Sequence, residues 1–372
     1  MAIELIQEIH KSNFRFVIVT SGGGSIAVSD LLSVPGASNS VLETYTPYAR
    51  ESLAYYLLRE PDQYCSMATT LSMAAKAFSA AKKIDKNSSK HKLLGIGVTA
   101  SLKSIAPKKG NHRFYIAIQT QDYSKTISCI LNKDQRSRIQ EEQVISDVLI
   151  QAIREACNLS FEFPNLEEEL LHTKVIAEKD WLKVMDEKIN FVSAENRIPE
   201  IIFPGSFNPL HEGHIAMKDL AEDRTGMQVS FEICIQNADK PPLSYHEIQR
   251  TLEQFKGQHH WIITKQGRFS EKAAMFPNSV FIIGADTLLR ILNEKFYLNH
   301  KDMMSQLDLF NHHNINFLVF GRYVNHKFHT LNNISLPEHI RARFTGFDEK
   351  IFRNDISSTT IRKLEDPEVY NS

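Results

Sequence analysis

Residues 201–214 have the sequence Ile-Ile-Phe-Pro-Gly-Ser-Phe-Asn-Pro-Leu-His-Glu-Gly-His. The apolar beginning predicts a strand, and the Asn208-Pro209 dipeptide ends that strand and fixes a turn. His211 and His214 then lie in the first turn of a predicted helix. The first turn of a helix carries unpaired amide donors and a partial positive charge, which suits phosphate. Two imidazoles placed there can donate hydrogen bonds to a triphosphate and to the charge that develops as it reacts.

A pair of histidines at this spacing, taken alone, is more often a pair of surface residues than a site. Here the pair coincides with a preceding strand, with the glycine and proline of the loop, and with a helix start. Gly205 has no side chain, so a ligand can approach the backbone closely at that point. The segment therefore predicts a phosphate-binding loop.

Two later segments carry further polar groups. Residues 356–362 have the sequence Ile-Ser-Ser-Thr-Thr-Ile-Arg, in which the hydroxyls are natural helix caps and phosphate donors. Residues 283–288 have the sequence Ile-Gly-Ala-Asp-Thr-Leu, and they end an apolar run. An acid just past a strand end is well placed for a ribose hydroxyl. Simpler interpretations are a capped terminal helix for the first segment and a helix-capping Asp286 for the second.

Strands that alternate with helices place these segments in an α/β fold. From residue 201 onward the pattern predicts a mostly parallel sheet, and ligands of such sheets lie at the carboxyl ends of the strands. An earlier α/β pattern ends near Cys157. The strands predicted along the chain are 14–19, 93–98, 114–118, 126–131, 201–203, 229–235, 261–264, 280–283 and 315–320.

Length and composition exclude several classes of protein. A chain of 372 residues exceeds one typical core, so two domains are expected. The formal net charge of -1 provides no basic field for nucleic acid. The four cysteines are widely spaced and form no disulfide framework or CxxC pair, which fits a reducing compartment. Because residues 1–11 lack the apolar core of a signal peptide and no apolar run reaches membrane-spanning length, a cytoplasmic location is expected.

The three C-terminal segments, in this order, closely resemble the nicotinamide and nicotinate mononucleotide adenylyltransferases, whose motifs are GSFNPxHxGH, GxD and ISSTxIR. The resemblance covers residues 201–363. It implies a Rossmann-like domain that binds ATP with Mg²⁺, and in-line attack of the acceptor phosphate on the α-phosphorus without a covalent enzyme intermediate. It assigns catalysis to His211, His214 and Arg362. The nucleotide-binding residues that it implies are Gly205, Ser206, Phe207, Gly284, Asp286, Ser357, Ser358 and Thr359. No protein ligand to a metal is predicted.

The N-terminal segments 19–24, 34–38 and 45–51 resemble the CinA-type nicotinamide-nucleotide amidase domain. The resemblance implies a CinA C-terminal-like α/β fold, and it places Ser21 on the family's nucleophile and Tyr48 on its motif tyrosine. The chain departs from the family at Leu53, where the family has a lysine. The family's glycine-rich loop is also reduced, to residues 97–102. Because a serine without a base is a poor nucleophile, Ser21 and Tyr48 are expected to form a vestigial site with little or no amidase activity.

These resemblances predict a CinA-like domain over residues 1–160, a connector over 161–197 and a nucleotidylyltransferase domain over 198–372. The leading hypothesis is ATP-dependent adenylylation of nicotinamide or nicotinate mononucleotide in pyridine nucleotide (NAD) biosynthesis. The alternatives are a nucleotidylyltransferase that uses another phosphorylated acceptor or CTP, and a non-catalytic nucleotide-binding or regulatory protein. Small-molecule nucleotides are the expected partners, without nucleic acid or membrane, and the oligomeric state stays open, a homo-oligomer included.

Overall fold

The computed structural model describes residues 2–106, 108–195, 197–236, 240–324, 327–354, 356 and 358–365. The chain divides into two compact units. The first comprises Met1–Glu178 with Ala238–Gln249, and the second comprises Lys179–Asn237 with Arg250–Glu365.

The first unit is built on a six-stranded mixed sheet with strand order β2-β1-β3-β4-β5-β6. Its helices are α1 Ala2–Lys11, α2 Ser25–Ser33, α3 Ala37–Ser40, α4 Arg50–Leu57, α5 Met67–Ile84 and α6 Arg138–Ala156. Its strands are β1 Arg15–Ser21, β2 Val41–Tyr45, β3 Leu93–Ser101, β4 His112–Gln119, β5 Tyr123–Leu131 and β6 Leu171–Ile176. The strands β2, β1 and β3 are parallel to each other, whereas β4, β5 and β6 continue the sheet in antiparallel pairs.

Both faces of the first sheet are covered, and strand β1 shows why. Its alternate side chains point to opposite faces, so Phe16 and Ile18 join one buried cluster while Val17 and Val19 join another. The first cluster includes apolar residues of α1, α2 and α6, and the second includes residues of α4 and α5. A continuous apolar run such as β1 is therefore expected of a strand buried on both sides.

The second unit is built on a seven-stranded sheet with strand order β15-β12-β11-β8-β9-β10-β7. Its strands are β7 Phe191–Ser193, β8 Ile201–Pro204, β9 Val229–Cys234, β10 His260–Thr264, β11 Val280–Gly284, β12 Asn316–Phe320 and β15 Phe344–Gly346, with a separate hairpin of β13 Arg322–Val324 and β14 Lys327–His329. Its helices are α7 Lys179–Met185, α8 Glu212–Thr225, α9 Tyr245–Glu253 (whose residues 245–249 group with the first unit), α10 Phe269–Met275, α11 Ala285–Ile291, α12 His300–His312, α13 Glu338–Arg341 and α14 Ser358–Glu365.

All neighbouring strands of the second sheet are parallel except β7, which is antiparallel to β10. The predicted α/β class with a parallel C-terminal sheet is confirmed. From β8 the chain proceeds to β9 and β10 on one side, and then returns to β11, β12 and β15 on the other. This reversal makes the carboxyl ends of β8 and β11 the topological switch point, where ligands of open α/β sheets bind.

The segment 161–197, expected to be a connector, is divided between the two units. Strand β6 pairs with β5 and extends the first sheet, whereas α7 and β7 belong to the second unit and β7 pairs with β10. The side chains of β6 are mostly exposed, so the strand is held mainly by its backbone pairing.

Within the described ranges, no helix combines the length and apolarity needed to cross a membrane. The four cysteines are free thiols, and burial raises the pKa of each one.

Candidate active site

Three neighbouring parallel strands bring two of the predicted segments, and Arg322, to one edge of the second sheet. Strand β8 leads into the loop 205–211, strand β11 ends at Gly284, and strand β12 is followed by Arg322. Because β8, β11 and β12 are adjacent and parallel, their carboxyl ends lie side by side. Two of the three predicted segments, those after β8 and β11, therefore lie side by side at this edge.

The loop 205–211 is anchored by Phe207, whose side chain is only 1% exposed. Its ring packs edge-on against Phe203, Phe231 and Phe255, with centroid distances of 5.4, 4.9 and 5.6 Å. The resemblance placed Phe207 among the nucleotide-binding residues. In the structure, the Phe207 ring lies in the core and holds the loop from below. Gly205 and the exposed Ser206 remain on the accessible side of the loop.

His211 and His214 stack on each other at the start of α8, with ring centroids 3.7 Å apart and an angle of 26° between the rings. The His211 backbone N–H donates to His214 Nδ1 at 3.3 Å. A neutral imidazole that accepts at Nδ1 carries its proton on Nε2, so His214 keeps one N–H donor for a ligand. The loop thus presents a fixed tautomer.

The surroundings keep both imidazoles neutral. Burial, reinforced by His211 and then by Arg322, lowers the pKa of His214 to about 3. Burial and then Arg322 also lower the pKa of His211. His211 is 9% exposed, and its Nδ1 is buried without a hydrogen-bond partner among the described residues. A buried polar atom of this kind calls for an explanation, and a ligand that supplies the partner is one.

Arg322 is a site residue that the sequence motifs did not reveal. It lies two residues past the end of β12, as the first residue of β13, and is close enough to both histidines to lower their pKa values. Its guanidinium contacts the Ile356 carbonyl oxygen at 3.5 Å and the Met217 sulfur at 3.7 Å. Its position just past a strand end at the switch point was the available signal, since ligand-binding residues concentrate there.

The Gly284-Ala285-Asp286 segment lies at the end of β11, as predicted. Gly284 precedes α11, and Asp286 is exposed in the first turn of that helix. A Cβ atom on Gly284 would lie 2.2 Å from Asp286 Oδ1 and 3.1 Å from Arg322 Cγ. Glycine is therefore required for Asp286 and Arg322 to approach the strand end together.

Helix α14 contacts the same loop through Ser358 and Arg362. Ser358 Oγ donates to the Pro209 carbonyl oxygen at 2.9 Å, and Arg362 Nη1 donates to the Asn208 carbonyl oxygen. Ser358 and Arg362, which are predicted to bind phosphate, therefore donate hydrogen bonds to the backbone of the loop. Ser357 and the side chain of Thr359 lie outside the described residues.

In the first unit, Ser21 ends β1, and Tyr48 lies three residues past the end of the neighbouring parallel strand β2. Ser21 Oγ donates to the Pro47 carbonyl oxygen at 2.9 Å, and Tyr48 is 65% exposed. Leu53, at the position of the family's lysine, is 1% exposed within α4. A buried alkyl side chain cannot take a proton from Ser21, and a backbone carbonyl is a poor base.

Helix α6 supplies two residues that the sequence did not point to. Glu142 Oε1 accepts from the Ser25 backbone N–H at 2.6 Å and from Ser25 Oγ at 2.7 Å, which satisfies the first turn of α2. Arg138 donates to the Gly22 carbonyl oxygen at 3.3 Å and to Tyr48 Oη at 3.0 Å. The Glu142 carboxylate therefore occupies the donors at the start of α2, where an anionic ligand could otherwise bind.

The comparison with protein families matches residues 202–364 to the cytidylyltransferase-like family. This range begins in β8 and ends in α14, so it contains all three motif segments. Residues 202–364 form a cytidylyltransferase-like nucleotidyltransferase domain. The chain is also similar in sequence to a Schizosaccharomyces pombe protein named "Putative nicotinamide mononucleotide adenylyltransferase". The two are 32% identical over an alignment of 112 residues that covers 27% of this chain and 44% of that protein. The chain thus spans less than half of that relative.

Two solved structures are similar to 42% of the chain, over its N-terminal part. One is a competence or damage-inducible protein from Enterobacter asburiae, with 12% identity and a TM-score of 0.32 over 94% of that chain. The other is a competence-damaged protein (CinA) superfamily protein from Enterobacter cloacae, with 12% identity and a TM-score of 0.32 over 89% of that chain.

The neutral His214 makes the stability of the nucleotidyltransferase domain depend on pH. We expect its contribution to be fully present above pH 6.5, the ordinary pKa, and to be lost as the pH falls toward about 3. Between these values the unfolded chain binds the proton and the folded chain does not, so acid favours unfolding. Each unit of the pKa difference corresponds to about 1.4 kcal/mol.

Urea unfolding of the wild type and of His214→Asn at a series of pH values measures this contribution. Other histidines with lowered pKa values are present in both proteins, so the difference between the two curves isolates His214. The variant should lose less stability between pH 6.5 and 4 than the wild type does. Parallel curves would show that the folded His214 takes up its proton near the ordinary pKa.

Proposed function

We propose that the chain catalyses ATP-dependent adenylylation of nicotinamide or nicotinate mononucleotide, with release of pyrophosphate. The observation that carries the proposal is the stacked pair of neutral imidazoles, His211 and His214, at the switch point of the sheet beside Arg322. A triphosphate needs several hydrogen-bond donors and positive charge. The imidazole N–H groups, the Arg322 guanidinium and the backbone N–H groups of the first turn of α8 can supply both.

The proposed reaction is one in-line displacement. An oxygen of the acceptor phosphate attacks the α-phosphorus of ATP, a new P–O bond forms, and the bond from the α-phosphorus to the bridging oxygen of the β-phosphate breaks. Pyrophosphate leaves with the electron pair of that bond. The N–H of His214 and the guanidinium of Arg362 would stabilise the charge that accumulates on the phosphate oxygens, and the loop would hold the two substrates in line.

Mg²⁺ fits this proposal as part of the substrate. Over the described ranges, no group of three or more His, Cys, Asp or Glu side chains could hold a metal ion. Mg²⁺ in nucleotide enzymes is commonly bound through substrate phosphates and water, with few protein ligands. The chemistry it supplies is neutralisation of phosphate charge, and the residues at the loop need only bind the resulting complex.

The choice of acceptor rests on the relative from Schizosaccharomyces pombe and on the motif resemblance. The family description, cytidylyltransferase-like, leaves two rivals: CTP in place of ATP as the nucleotide donor, and another phosphorylated compound as the acceptor. A non-catalytic nucleotide sensor is the rival from another class. The presence of both histidines and of Arg362 argues against it, because a pseudoenzyme usually loses such groups.

The test is pyrophosphate release by the full chain with Mg²⁺ and either ATP or CTP. The acceptors are nicotinamide mononucleotide, nicotinate mononucleotide and phosphorylated compounds without a pyridine ring. We expect release with ATP and a pyridine mononucleotide, together with formation of the dinucleotide. Release only with CTP or with a non-pyridine acceptor would overturn the substrate assignment. Binding of ATP without release for every acceptor would favour the sensor.

A further inference from the structure

Gln254 follows helix α9, and its side-chain amide bridges two points of the loop 205–211. Its Oε1 accepts from the Leu210 backbone N–H at 2.7 Å, and its Nε2 donates to the Phe207 carbonyl oxygen at 2.9 Å. A primary amide can both donate and accept, so one side chain satisfies both ends of this segment. The segment leads directly into His211.

The bridged segment needs an external support. Phe207 has a φ of 42°, in a region that residues other than glycine rarely adopt. Such a backbone persists only where the surrounding structure holds it. The aromatic core fixes the Phe207 ring, and Gln254 fixes its carbonyl group. At the other end, the Leu210 amide is fixed immediately before His211, whose carbonyl oxygen accepts from the His214 backbone N–H at 2.8 Å.

We propose that Gln254 is a positioning residue for the transfer step. By fixing Phe207 relative to Leu210, it sets the place from which His211 and His214 donate to the triphosphate. Gln254 is half-buried in the wall of an open cleft of about 570 Å³, which Ile215 and Gln258 also line. It therefore contributes little to the core, and its effect acts through the loop. The inference rests on the proposed function, because its first readout is turnover.

The experiment compares Gln254→Met with Gln258→Met in the full chain. Methionine keeps the length of glutamine and removes both hydrogen-bonding groups. Gln258 is an exposed glutamine of the same cleft, and its substitution is the matched control. For Gln254→Met we expect kcat to fall about tenfold with little change in the KM for ATP, since misplaced groups lose transition-state binding first. The control should keep wild-type kinetics.

Hydrogen exchange without substrates is the second readout. Exchange in a peptide covering residues 205–211 should become faster in Gln254→Met while the rest of the nucleotidyltransferase domain is unchanged. This readout still tests the role of Gln254 if the wild type turns over no acceptor, an outcome that would instead refute the proposed function. Wild-type exchange in this peptide would overturn the inference. So would faster exchange across the whole domain, because the amide would then stabilise the fold as a whole.

Discussion

Replacing His214 with alanine is expected to lower kcat by about two orders of magnitude, the typical loss when a preorganised donor to a charged transition state is removed. The imidazole is held in one tautomer by the His211 backbone N–H, and its low pKa keeps it neutral at every pH at which the enzyme would work. The N–H at Nε2 of this neutral ring can therefore donate a hydrogen bond to a phosphate oxygen without any change in protonation. The value of kcat/KM should fall with kcat, because the interaction is strongest in the transition state.

His300→Ala is the control for this measurement. His300 is an exposed histidine at the start of α12, outside the described site, and its loss should leave kcat unchanged. Steady-state pyrophosphate release and thermal unfolding should be measured on the same preparations. A folded His214→Ala protein with near-normal turnover would remove this histidine from the mechanism, and the charge would then be stabilised by other groups.

The strand, loop and helix around His211 could be predicted from sequence because each element has a local cause. The apolar run forms β8, which ends at Pro204 ahead of the turn at Asn208-Pro209, and α8 begins where the motif places its first turn. The switch point also follows from the order of α/β elements, since the rule concerns topology and needs no knowledge of side chains.

Other features could not be predicted because their causes are distant in sequence. Nothing near Phe207 shows that Phe231 and Phe255, from distant parts of the sequence, pack against its ring. Strand β6 lacks the apolar alternation that marks a half-buried strand, because most of its side chains are exposed. In the first unit, Glu142 reaches the start of α2 across 117 residues of sequence, and no local pattern announces such a contact.

Replacing Gly205 with alanine is expected to lower kcat by about a hundredfold, because displacing catalytic groups by about 1 Å has effects of that size. A Cβ atom on residue 205 would lie 2.4, 2.6 and 2.8 Å from three atoms of the Phe207 ring, closer than real Cβ atoms approach other atoms. Three neighbouring rings confine Phe207, so the ring cannot move aside. The loop must shift instead, and His211 and His214 shift with it. Overpacking of this kind also costs about 1–3 kcal/mol of stability.

Gly226→Ala separates this clash from a general effect of adding a methyl group. Gly226 ends α8 with a φ of 68° and has no atom within 4 Å of the Cβ position, so its substitution strains the backbone without a clash. It should lower stability and leave kcat near the wild-type value. The double variant Gly205→Ala/Phe207→Leu removes the ring atoms that the new methyl group meets, and its kcat should exceed that of Gly205→Ala alone. Wild-type turnover in Gly205→Ala, or a double variant no better than the single one, would show that the ring does not set the position of the loop.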